Sequence, residues 1–81
     1  MAHKVTPMNP RFVIQRVQTA PPDTRVQEFY AVDDDGASMW VVDTKRATMF
    51  MSIHSADLVQ KAEGGDIIAI TNDDTYDLYR G

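Results

Sequence analysis

The stretch Gly36–Thr71, GASMWVVDTKRATMFMSIHSADLVQKAEGGDIIAIT, constrains the fold more than any other part of the chain. It reads as strand, turn, second apolar run, short capped helix, Gly-Gly and strand. β-Branched and aromatic runs suit a pleated surface. A serine-led segment closed by glycine suits a helix. The expected fold class is α+β: an antiparallel or mixed sheet of about five strands with one short helix packed on one face. That helix is expected over Ser55–Glu63, with Ser55 as N-cap, Asp57 in the first turn, and Leu58, Val59 and Ala62 as its apolar stripe. Such a helix rises only about 14 Å. Apolar residues nevertheless recur on both expected faces of the sheet. The second face must therefore meet water, the C-terminal tail, the N-terminal arm, another copy or a partner.

The chain has 81 residues, which fits one domain. Residues 1–10, with Pro7, Asn9 and Pro10, read as a loose arm, and residues 11–81 as a single domain. A domain of this size buries only about 60% of its unfolded surface, so little stability is in hand. Cysteine is absent, which removes both disulfides and thiolate chemistry. No apolar run follows Met1-Ala2-His3-Lys4 to make a signal peptide, and none is long enough for a membrane helix. A cytoplasmic setting without a membrane partner is expected. The net charge of −4 is unevenly placed, with +3 on residues 1–25 and −7 on residues 26–81. The acidic majority argues against general affinity for nucleic-acid phosphates.

Phe12–Val17 is the first expected strand, and Pro21-Pro22 sits in the connection that follows it. Arg25–Val32 and Ser38–Asp43 form a hairpin about Asp33-Asp34-Asp35-Gly36. With Asp35-Gly36 as a two-residue loop, Tyr30 faces Val41 and Val32 faces Met39 on one side. Phe29 then faces Val42 and Ala31 faces Trp40 on the other. A longer turn shifts every partner. Lys45-Arg46-Ala47 reads as a turn into a strand over Thr48–Ile53, or else as one helical turn with Ala47 and Phe50 inward. Gly64 is the expected left-handed helix stop. Asp66–Thr71 reads as a central strand because it is almost continuously apolar. Asn72–Gly81 reads as an edge strand or a strap across the sheet.

Chemical motifs are weak throughout. Placing Gly36 at position 6 of a calcium loop puts Ala31 and Val42 where ligands are needed, so the turn is not an EF-hand. Ser52, His54, Ser55 and Asp57 supply the residue types of a hydrolase triad, but they crowd one strand-to-helix junction and capping explains them better. Gly64-Gly65 ends a helix and so lacks the geometry that cradles phosphate at a helix start. Asp73, Asp74 and Asp77 make a charged tail. Two isolated histidines make no zinc site. No catalytic residue, metal site or cofactor is expected. Base-stacking sheets need aromatics beside basic residues, and Trp40 and Phe50 have no basic neighbour apart from Lys45-Arg46 in a turn. Direct nucleic-acid binding is accordingly not expected. Acidic mimicry of nucleic acid, through Asp33, Asp34, Asp35, Asp43, Asp73, Asp74 and Asp77, is an alternative.

The block W-V-V-D-x-x-x-A-x-x-F-x-S from Trp40 to Ser52, followed by a short helix, Gly-Gly and I-I-A-I, resembles small orphan proteins of phages and prophages. The resemblance covers roughly residues 25–71. It implies a mobile-element accessory protein, in some cases an inhibitor of a host enzyme or defence complex, as anti-CRISPR proteins are. The expected function is thus non-catalytic protein binding by steric occupation. The expected contact residues are Tyr30, Asp34, Asp35, Met39, Trp40, Met49 and Met51, and the partner is a host protein or complex of basic character. Self-association as a homodimer or larger homo-oligomer, with a structural or virion-associated role, is the alternative.

Overall fold

The computed structural model describes residues 9–79. Residues 1–8 of the expected arm, and Arg80 and Gly81 of the tail, lie outside the described residues. The strands are β1 (Arg11–Ala20), β2 (Thr24–Val32), β3 (Ser38–Val41) and β4 (Asp66–Ile70), and the helices are α1 (Ile53–Glu63) and α2 (Asp73–Tyr79). A 3-10 turn occupies Thr44–Arg46. The sheet is antiparallel throughout, in the order β3-β2-β1-β4. The α+β class stands, with four strands and two helices in place of about five strands and one helix. Among the described residues no helix is long and apolar enough to cross a membrane.

The hairpin register differs by one residue from the two-residue-loop expectation. Phe29 pairs with Val41, Tyr30 with Trp40, Ala31 with Met39 and Val32 with Ser38. The cause is the carboxylate of Asp33. Its Oδ1 accepts from the N–H groups of Asp35 at 2.9 Å and Ala37 at 2.8 Å. The Asp33 N–H then donates to Ala37 O, and the Gly36 N–H to Asp33 O, each at 3.0 Å. The loop is therefore three residues, Asp34 to Gly36, closed by Gly36 at φ +84°. That is a type I turn followed by a left-handed residue. One extra loop residue turns β3 over. Tyr30 and Trp40 share one face, while Phe29, Ala31, Met39 and Val41 share the other.

The tail supplies the second helix. Asn72 caps α2, its Oδ1 accepting from the Thr75 N–H at 2.8 Å. Tyr79 is buried and meets Phe29 edge to face, with ring centroids 5.5 Å apart. Around this pair lie buried Val13, Ala31, Val41, Ala47 and Ile70, with Met39, Met49, Ile68 and Tyr76 packed against them. The tail is thus a helical strap, not an edge strand, and it fills much of the face the single-helix reading left bare.

The helix α1 packs on β1 and β4 from the opposite side. Its N-cap is Ser52, whose side chain accepts from the Ser55 N–H, and not Ser55. Its covered line is Ala56, Val59 and Gln60, while Leu58 and Ala62 of the expected stripe are exposed. The strand expected over Thr48–Ile53 is absent apart from a single bridge between Phe50 and Phe12. The segment instead fills a gap beside β2: Thr48 N–H donates to Tyr30 O at 3.0 Å, and Phe50 exchanges both backbone bonds with Phe12. Gly64 ends the helix with φ +86° and ψ −169°, which is not the left-handed helical conformation expected. Gly65 is required by close approach. A Cβ there would lie 2.7 Å from Gln15 O, 2.9 Å from Ile14 Cγ2 and 3.0 Å from Trp40 Cη2. Among the described residues β4 is an edge strand, not a central one. Its continuous apolarity arises because α1 and the α2 cluster lie on opposite sides of it.

Among the described residues, β1 and β2 continue beyond the Gln15–Phe29 pair without a third strand as far as the Pro21-Pro22 turn. Most residues of this ribbon are exposed. The Cα radius of gyration is 14.1 Å, against about 12 Å for a compact chain of this length.

Candidate functional site

Cross-strand alternation places Ile14, Arg16, Glu28, Tyr30, Val32 and Trp40 on the α1 face. The helix covers the β1 and β4 half of that face. The β2 and β3 half carries an aromatic row. Tyr30 meets Trp40 edge to face at 5.9 Å and stacks on Phe50 at 6.2 Å. The Arg16 guanidinium lies 4.2 Å from the Trp40 ring centroid, within cation–π range. Arg16 Nε also donates to Glu28 Oε1 at 2.8 Å. The row is thus tied from Glu28 through Arg16, Trp40 and Tyr30 to Phe50. Geometry of this kind fixes ring orientation before any partner arrives, which lowers the entropic cost of binding.

Arg16 is the residue sequence reasoning missed. It lies far from Trp40 in sequence and two strands away in the sheet. The strand order brings them together, and no local spacing announces it. The basic neighbour that Trp40 was expected to lack is therefore present. Its charge is matched by Glu28, so it is not a free cation for phosphate.

The expected contact residues divide between the two sides of the sheet. Tyr30 is buried within the aromatic row, and Trp40 is half-buried. Met39 and Met49 pack against the α2 cluster on the other face. Met51 is 70% exposed, just before α1. Asp34 and Asp35 are exposed in the hairpin turn. Asp34 and Met39 come together again with Ala31, Val32, Asp33 and Arg46 around an open hollow of about 260 Å³. Val32, on the Trp40 face and at the rim of this hollow, is 43% exposed, and Val42, just past β3, is 64% exposed.

The triad-type residues at the start of α1 are engaged locally. The Ser55 N–H donates to Ser52 Oγ at 3.2 Å, and Asp57 pairs with Lys61 one turn on at 2.9 Å. His54 is exposed. Among the described residues no three His, Cys, Asp or Glu side chains converge as a metal site would require. No family model, curated protein or solved structure matches the chain.

Proposed function

We propose that the protein is a non-catalytic binding domain that occupies a partner protein through the β2–β3 half of its α1 face. One observation carries the reading: the Tyr30–Trp40–Phe50 row lies beside the strands on which α1 packs, with Trp40 half-buried and Val32 43% exposed on the same face. Half-buried tryptophan in an apolar surround is the kind of anchor that dominates binding energy. The acidic turn, Asp33 to Asp35, lies at the end of the same hairpin and favours a basic partner by steering and register. The likeness of the Trp40–Ser52 block to small phage and prophage proteins supports a narrower reading. In that reading the partner is a host enzyme or defence complex, and inhibition in the cytoplasm is by occupation. Acidic mimicry of nucleic acid is the alternative reading, with Asp73, Asp74 and Asp77 on α2 and Asp33 to Asp35 in the β2–β3 turn.

The test uses Val32→Asp and Val42→Asp. Val42 is 64% exposed, so its change should cost no more than about 0.5 kcal/mol; Val32 is 43% exposed on a strand, so its change should cost about 1 kcal/mol. Retention of one stoichiometric host protein from lysate should fall sharply while both variants remain folded by thermal melt. Unchanged retention by both variants would overturn the site. Light scattering on the parent protein separates self-association. If mass rises with concentration, and the same substitutions abolish that rise, the face is covered by another copy.

A further inference from the structure

We propose that the outer edge of β3 is a strand-addition site. It takes an extended segment of the partner, with alternating apolar side chains and a Lys or Arg at the end that reaches the Asp33–Asp35 turn. The proposal rests on the protein-binding reading and states how the partner is held.

The direction of the backbone groups follows from the turn. Asp33 N–H donates to Ala37 O, so Asp33 and Ala37 are a bonded pair. Bonded and non-bonded pairs alternate along an antiparallel ladder. Val32 with Ser38 and Tyr30 with Trp40 are therefore non-bonded pairs, whose N–H and C=O groups point away from each other. The β2 side bears this out. Val32 N–H donates to Thr48 Oγ1 at 2.9 Å, and Tyr30 O accepts from Thr48 N–H at 3.0 Å, both away from β3. By the same parity, Ser38 and Trp40 present their N–H and C=O groups beyond β3. Among the described residues no other segment bonds to them. Two donors and two acceptors, set two residues apart, are what an incoming strand pairs with.

Exposed edges are ordinarily guarded by charge, proline or a bulge. Ser38, Met39, Trp40 and Val41 carry neither charge nor proline. The opposite edge strand, β4, begins with Asp66. Side chains of an added strand would alternate between two prepared surfaces. On one face lies Trp40. On the other lies Met39, with Arg46 Nη2 at 3.6 Å from its sulfur and the open hollow beside it. A thioether adapts to side chains of different shape. At the turn end, Asp33 is engaged by two amides, while Asp34 and Asp35 are exposed and no ion pair reaches them among the described residues. A basic residue on the incoming strand complements that end.

The experiment combines amide exchange with a displayed library of random short peptides as the probe. In the free protein, the Ser38 and Trp40 amides should exchange fast while those of Met39 and Val41 are protected. Selected peptides should alternate apolar residues, carry Lys or Arg at one end, and slow exchange at Ser38 and Trp40. Ser38→Pro removes an outward N–H and leaves the β2 ladder intact, and proline is tolerated on that side of an edge strand. It should weaken selected peptides by about tenfold, the equivalent of one lost hydrogen bond. Protection of Ser38 and Trp40 in the free protein would mean the edge is already taken, by residues 1–8 or a second copy, and would overturn the proposal. So would a library that yields no binder. Peptides that bind Ser38→Pro undiminished but fail on Val32→Asp and Val42→Asp would overturn strand addition and leave the protein-binding face standing. Should Ser38→Pro not fold, the exchange pattern of the parent with selected peptide decides.

Discussion

The two faces of the sheet are closed by different means. On the α2 face, the chain end folds back as a seven-residue helix whose Tyr79 sits edge-on to Phe29. Val13, Phe29, Ala31, Val41 and Ile70 there are covered by the chain itself. On the α1 face, a longer helix packs on β1 and β4, and the aromatic row on β2 and β3 is held by its own ring geometry and by Arg16. The first arrangement makes a core. The second leaves a rigid apolar surface half in water. Stability should therefore reside mainly on the α2 face, and recognition on the α1 face.

Truncating one ring on each side gives the largest effect and the most direct break. Phe29 is 3% exposed, so Phe29→Ala should cost about 3–5 kcal/mol. That is comparable to the whole stability of a small domain. Trp40→Ala should cost clearly less, because part of its ring already meets water. Urea midpoints on both variants decide it. Equal losses would make Trp40 a core residue and remove its claim as an anchor.

Gly65→Ala attacks the α1 face from the backbone. The new Cβ would meet Gln15 O at 2.7 Å, and φ +89° is strained for any side chain. A loss of about 1–3 kcal/mol is expected, with disturbance of Trp40 fluorescence because Trp40 Cη2 is among the nearest atoms. A variant that melts with the parent and keeps its emission would show that the helix end does not fix the indole.

These two positions also show what the sequence makes legible. The class, the hairpin about Asp33–Gly36, the helix before Gly64 and the strand after Gly65 follow from local pattern and turn chemistry. The hairpin register does not, because one carboxylate, Asp33, adds a residue to the loop and turns Met39 away from Tyr30. The strand order is not legible either, so the meeting of Arg16 with Trp40 is invisible in sequence. The tail misleads for a third reason. Tyr76 and Tyr79 are three apart, which is helical spacing, but Leu78 between them reads as strand alternation. Leu78 proves to be 59% exposed. The acidic turn is found where the sequence places it, whereas Trp40 joins the Tyr30 face instead of the Phe29 face, and Met39 and Met49 belong to the opposite one.

A smaller effect sharpens the account of α1. Ser52 accepts from the Ser55 N–H and caps the helix. Ser52→Ala should cost about 1 kcal/mol, and Ser55→Ala less, since Ser55 contributes mainly its backbone to the cap. The ordering is read from thermal midpoints. The reverse ordering would return the cap to Ser55 and shorten the helix.

The smallest effect concerns Tyr79 and appears only in alkali. Burial on the α2 face raises the pKa of its hydroxyl above the ordinary tyrosine value. Below that ordinary value, about 10, the group is neutral in both folded and unfolded chains, and its contribution to stability is fully present. As pH rises through the unfolded and then the folded pKa, the unfolded chain ionises first and the fold loses that contribution. Tyr79→Phe abolishes the ionisation while keeping the ring on Phe29. Its urea midpoint should fall less than the parent's between about pH 9 and about pH 11, with little difference at neutrality. Equal alkaline losses in both proteins would mean that Tyr79 is open to water, and that α2 does not seal its face as α1 leaves the other unsealed.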